Sequence, residues 1–113
     1  MGSKGLMNPF QIFIAFVSWG TDGKNRPVLV LSLNSNSVSV YPITTQYKTK
    51  SEAVKARYFK INDWVDAGLE KQSYIDTGTI VKLPHSSLGN KKPIGSLTNL
   101  DKQRLLDFLL YPA

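Results

Sequence analysis

A short unbroken apolar run, Val28-Leu29-Val30-Leu31, stands between Arg26-Pro27 and the turn-prone Asn34-Ser35-Asn36-Ser37, and it constrains the fold more than any other feature. A run of that length bounded by turn formers suits a strand buried on both faces. Val38-Ser39-Val40-Tyr41 follows the turn with alternating character and reads as the next, antiparallel strand. Upstream, Gln11–Val17 is rich in β-branched and aromatic residues and reads as a strand that gives way to a loop over Gly20–Asn25.

Pro42 lacks a backbone donor and is expected to close its strand, leaving Ile43–Lys50 as a polar, cationic loop of the kind that carries function. Val54–Ile61 resumes a strand-like pattern. Asn62 is placed to cap one or two helical turns through Trp64 and Val65, with Gly68 as the left-handed C-cap. Ser73–Leu83 offers one or two strands interrupted at Asp76-Thr77-Gly78. The period then changes: Thr98 is an N-cap with the Asp101 carboxylate at the third helical position, and Leu105, Leu106, Phe108, Leu109 and Leu110 form an apolar stripe ended by Pro112. Five or six short strands and one terminal helix predict a mainly β fold with a C-terminal helix, built as a small curled sheet or barrel.

The chain has 113 residues, 42% apolar and 19% charged, enough for one core and one domain over residues 7–113. Residues 1–6 read as a leader or disordered start, with Met7 a possible natural beginning. No apolar stretch approaches the roughly 20 residues of a bilayer-spanning helix, so no membrane partner is expected. The absence of cysteine removes disulfides and thiolate chemistry and agrees with a cytoplasmic location. A net charge of +6 favours an anionic partner.

No metal or cofactor is expected, since there is no Gly-rich phosphate loop, no H-E-x-x-H and no spacing of acidic residues that makes a cage. The single histidine, His85, reads as a surface imidazole between Pro84 and Ser86-Ser87. Arg26 before Pro27 is held extended at the foot of the buried strand, and Thr44 lies just past its partner. If residues 28–32 pair antiparallel with 38–43, Arg26 and Thr44 come to one edge of the sheet. The plainer alternative is a solvated charge and a β-forming residue at a strand end.

These segments, Arg26-Pro27 before an apolar strand and Pro42-Ile43-Thr44-Thr45-Gln46 after the next, resemble the PemK/MazF family of toxin endoribonucleases from type II toxin–antitoxin pairs. The likeness runs from Phe10 to Leu109. Ala67-Gly68-Leu69, Gln72-Ser73-Tyr74-Ile75 and Ile94-Gly95-Ser96-Leu97 resemble its Gram-positive PemK-like branch. The resemblance implies the SH3-like barrel of the PemK, MazF and CcdB type of plasmid maintenance toxin, a homodimer, and an acidic antitoxin of the PemI/MazE kind. It also implies sequence-selective cleavage of single-stranded RNA, messenger RNA included, that inhibits translation and growth.

Carried over residue by residue, the catalytic candidates are Arg26 and Thr44. Family members often bear a glutamate five residues before the arginine, where this chain has Thr21, with Asp22 one place later. Asp22 is therefore the candidate for orienting Arg26 or taking the proton, with His85 as an outsider. Candidate substrate-binding residues are Lys24, Asn25, Thr45, Gln46, Tyr47, Lys48, Lys50 and Arg57, which combine cationic and polar groups with one aromatic plate. Trp19 and Trp64 read as core or dimer interface rather than base-stacking plates. The competing expectations are a non-enzymatic toxin of the same fold that binds a protein such as DNA gyrase, and an SH3-like adaptor without turnover.

Overall fold

The computed structural model describes residues 7–88 and 91–111. The expected leader over residues 1–6, the helix-ending Pro112 and the side chain of Trp19 lie outside the described set. The chain runs β1 (Gln11–Trp19), β2 (Asp22–Leu33), β3 (Ser37–Thr44), α1 (Glu52–Lys55), β4 (Tyr58–Lys60), β5 (Tyr74–Asp76), β6 (Val81–Pro84), a short 3₁₀ turn, β7 (Gly95–Ser96) and α2 (Asn99–Leu110). The strands form one curled antiparallel sheet in the order β4-β5-β3-β2-β1-β7, with β6 also on β3. The expected mainly β architecture with a terminal helix is what the chain adopts. Among the described residues no helix is long and apolar enough to cross a membrane.

The central run behaves as its composition requires. Val28 and Val30 enter an apolar cluster with Phe13, Ala15, Val17, Val38, Val40, Leu83 and Leu88, while Leu29 enters a second with Ile12, Tyr41, Ile43, Phe59, Ile75 and Leu105. All three are fully buried. A bulge between Val30 and Ser32 shifts the register, and Leu31 packs beside Leu29 on the second cluster. The Asn34 side chain fixes the turn to β3, its Oδ1 accepting from the backbone of Asn36 and Ser37 at 2.8 Å each.

Three sequence expectations are corrected. The loop over Gly20–Asn25 shrinks to two residues: Gly20 takes φ 58°, Trp19 pairs with Asp22, and Asp22–Asn25 are strand. Glycine at the first central position gives a hairpin turn that matches the strand twist and leaves no residues over for a loop. Pro42 does not end β3. Its missing donor sits where β3 exchanges neighbours, between the Val40–Val81 pair with β6 and the Ile43–Ile75 pair with β5. The strand expected from Val54 begins only at Tyr58, because Ser51 accepts from Val54 N at 3.2 Å and caps a helical turn first.

Residues 62–68 form the expected turn, closed by Gly68 at φ 91° in a Schellman arrangement, with Leu69 N donating to Trp64 O and Gly68 N to Val65 O. Its amino end is capped by another element. The buried Asp101 carboxylate, 1% exposed, accepts from Asn62 N, Asp63 N and Arg104, and Thr98 caps α2 through Asp101 N at 3.2 Å. Gly68 and Gly95 approach closely, so a Cβ on the first would strike the Ile94 carbonyl and one on the second the Ala67 carbonyl. Of the expected α2 stripe, Leu105 is buried and Phe108 packs on the core, but Leu106, Leu109 and Leu110 are exposed because α2 meets the sheet along one narrow line.

Asp101 accepts from Asn62 N and Asp63 N and so joins two elements, which Thr98 Oγ1 donating to Asp63 Oδ2 at 2.7 Å also ties. Asp101→Ala is expected to lose about 3 kcal/mol of stability, the cost of stranding two backbone donors and part of the Arg104 charge. Urea denaturation checks this, and an unchanged midpoint refutes it.

Candidate functional site

The β2–β3 register pairs Leu29 with Tyr41 and Val28 with Pro42. That pairing ends two residues short of Arg26 and Thr44, which it brings to the same edge of the sheet. Both line a recess of about 200 Å³ together with Lys24, Asn25, Thr45 and Gln46. Thr44 pairs with Tyr74, and Tyr74 with Lys60, so one row of residues runs across three strands from Thr44. Arg26 is half-buried, and its neighbours Val28 and Pro27 fix the backbone on one side.

The Thr44 hydroxyl is oriented by its own chain, since its Oγ1 accepts from Gln46 N at 3.0 Å. That bond occupies a lone pair and leaves the O–H to donate into the recess. The loop beyond it is closed by Lys50 N donating to Tyr47 O at 3.0 Å. A second groove, lined by Gln46, Tyr47, Lys48, Gln72 and Tyr74, continues from the first and shares Thr45 and Gln46 with it.

The sequence candidates divide by position. Lys24, Asn25, Arg26, Thr44, Thr45 and Gln46 meet in one recess, and Tyr47 and Lys48 line the adjoining groove. Lys50 serves the loop backbone and lines neither. Arg57 lies over Gly78, its Nε 4.0 Å from Asp76 Oδ1. Asp22 sits at the β1–β2 hairpin tip, four residues from Arg26 and so about 13 Å away along the strand. His85 is partly exposed, and its Nε2 lies 2.5 Å from Asn34 O at the opposite end of the β2–β3 hairpin. Trp64 packs against the core.

Tyr47 does not stand as an open plate. Its ring stacks on Tyr74 with centroids 4.3 Å apart, Tyr58 lies at 6.3 Å, and Lys55 Nζ is 5.1 Å over the ring. Tyr58 and Tyr74 were not marked by sequence, although β-pairing of two tyrosine-bearing strands beside Thr44 is what assembles them. Burial pushes the Tyr58 phenol above its ordinary value, Asp76 adds to the rise, and Arg57 and Arg26 oppose it. Arg26 thus acts electrostatically on the same cluster as Arg57 and Asp76. Among the described residues no group of three or more His, Asp or Glu side chains is set to hold a metal ion.

A family model described as the PemK-like, MazF-like toxin of type II toxin–antitoxin systems matches residues 9–109. Among solved structures, the chain is similar to the Mycobacterium tuberculosis toxin MazF-mt6, with a TM-score of 0.65 and 25% sequence identity, over 86% of this chain and 89% of that one. No curated protein matches the sequence.

The raised Tyr58 and Tyr41 phenols give a pH dependence of definite sign. In the unfolded chain they ionise near pH 10, in the folded chain only above it, so their contribution is complete below pH 10 and is lost as pH rises further. Tyr58→Phe is expected to make the fall in urea midpoint between about pH 9 and pH 11, on either side of the ordinary phenol value of about 10, shallower than in the parent. Equal slopes count against the assignment.

Proposed function

The chain belongs to the family of PemK-like, MazF-like toxins of type II toxin–antitoxin systems, and on that premise we propose that it is a metal-independent, sequence-selective endoribonuclease. Its proposed substrate is single-stranded RNA, messenger RNA in the cytoplasm above all. The observation that supports this reading is that Arg26 and Thr44 line one recess with a cationic, polar rim. The family implies an antitoxin partner, and an acidic one suits a chain of net charge +6. A homodimer is also proposed, for which the exposed Leu106, Leu109 and Leu110 provide apolar surface.

RNA carries its own nucleophile, because the 2′-hydroxyl is held beside the phosphate and attacks it intramolecularly. The protein has to stabilise the charge that develops on the non-bridging oxygens. Arg26 donates two parallel hydrogen bonds to them, and Thr44, with its Oγ1 already anchored by Gln46 N, donates a third. The 5′-oxygen departs with a proton, giving a 2′,3′-cyclic phosphate and a 5′-hydroxyl. Lys24 and Lys48 hold neighbouring phosphates along the continuous groove.

Arg26→Ala is expected to slow cleavage of a long RNA in EDTA about a hundredfold or more, as loss of one oxyanion donor does elsewhere, and Thr44→Ala is expected to act in the same direction. Both stay folded. Intact RNA with the parent protein, together with stalled DNA supercoiling, decides for a gyrase-binding toxin instead.

Asp22 enters the proposal as the proton acceptor if the hairpin tip closes over bound RNA. Asp22→Asn is then expected to lower the rate of cleavage in EDTA. A rate equal to the parent's takes Asp22 out of the mechanism.

A further inference from the structure

A third recess, of about 360 Å³, opens beside the Arg26–Thr44 recess and shares Pro27, Thr45 and Ser73 with it. Its chemistry is different. Ile14, Leu69 and Ile94 give it apolar walls, and the exposed Glu70 and Lys71 stand on it. Glu70 is the only carboxylate among the residues that line this recess, the Arg26–Thr44 recess and the Tyr47 groove.

A carboxylate facing a groove that receives a polyanion works against binding by like-charge repulsion. It is compensated by a ligand that presents N–H donors at that spot. The backbone around it is fixed on both sides: Leu69 N is bonded to Trp64 O in the Gly68 cap, and Ser73 Oγ donates to Lys71 O at 2.9 Å. Glu70 is therefore carried on a rigid segment at the mouth of an apolar slot. An unstacked base lies flat against such walls and offers its polar edge at the rim.

We infer that this recess holds one nucleobase next to the reacting phosphate, and that Glu70 selects it by accepting a hydrogen bond from an exocyclic amino group. Cytosine, adenine and guanine carry one. Uracil does not, and its single ring N–H lies between two carbonyl oxygens that repel the carboxylate.

The inference rests on the nuclease reading above, and one experiment separates the two. A random-sequence RNA pool is cleaved in EDTA by the parent protein and by Glu70→Gln, and the new ends are mapped. With the parent, one position beside the cut is expected to favour amino-bearing bases over uracil, and Glu70→Gln is expected to reduce that preference about tenfold at that position alone. Identical profiles for the two proteins overturn the base subsite while leaving the nuclease standing. A parent protein that leaves the pool intact overturns both. Glu70 is exposed, so the substitution leaves the fold in place, and the thermal melt of the variant is expected to match the parent's.

Discussion

The arrangement of the whole molecule depends on Val28, Leu29 and Val30 being claimed in turn by two apolar clusters on opposite faces of the sheet. A strand buried on one face can slip by two residues at modest cost, but a strand whose every residue is buried has one register. A slip by a single residue exchanges the two sets between clusters of different shape. Because that register brings the Arg26 and Thr44 segments to one edge of the sheet, the recess they line is organised by burial two residues away.

Elements whose cause is local were legible in the sequence. Thr98 with Asp101, the Gly68 cap and the turn at Asn34 each rest on a residue acting within about four positions of itself, and they form as read. Failures came where the deciding contact was distant or the local choice was fine. Asp22–Asn25 are all turn-forming types, but a two-residue turn at Gly20-Thr21 already reverses the chain, and pairing with β1 claims the rest. Pro42 reads as a stop, yet β3 changes neighbours at that point, and only the three-dimensional layout tells that a donor is not required there. In the candidate site, Thr44 and the 45–48 segment are readable as a strand end and the loop past it, and Arg26 by its place before the apolar run although it lies inside β2, whereas Tyr58, Tyr74 and Glu70 come from strands and turns that reach the site by pairing across long separations.

The electrostatics of the site follow from where the charges are held. Arg26 and Arg57 both act on the Tyr58 phenol, against Asp76, so the positive field of the recess reaches that ring, beside the Arg57–Asp76 pair. Such a field serves a chain of phosphates better than a single anion, because it attracts an extended polyanion along the groove as well as at its centre. The stacked Tyr47 and Tyr74 rings give that groove a firm wall, and the Lys55 ammonium over Tyr47 adds to it.

The close passage of Gly68 against Gly95 has a consequence for how such a site diversifies. One side of the Glu70 recess is built there from main chain meeting main chain, with Gly68 and Ile94 at its surface. Mutation edits side chains and leaves peptide groups as they are, so the two glycines are closed to gradual change: neither admits a replacement without parting the two segments. The side chains around the seam are open to it. Descendants of this chain inherit the seam and are free to rewrite the lining, so the recess can change its surface while its main chain stays where it is.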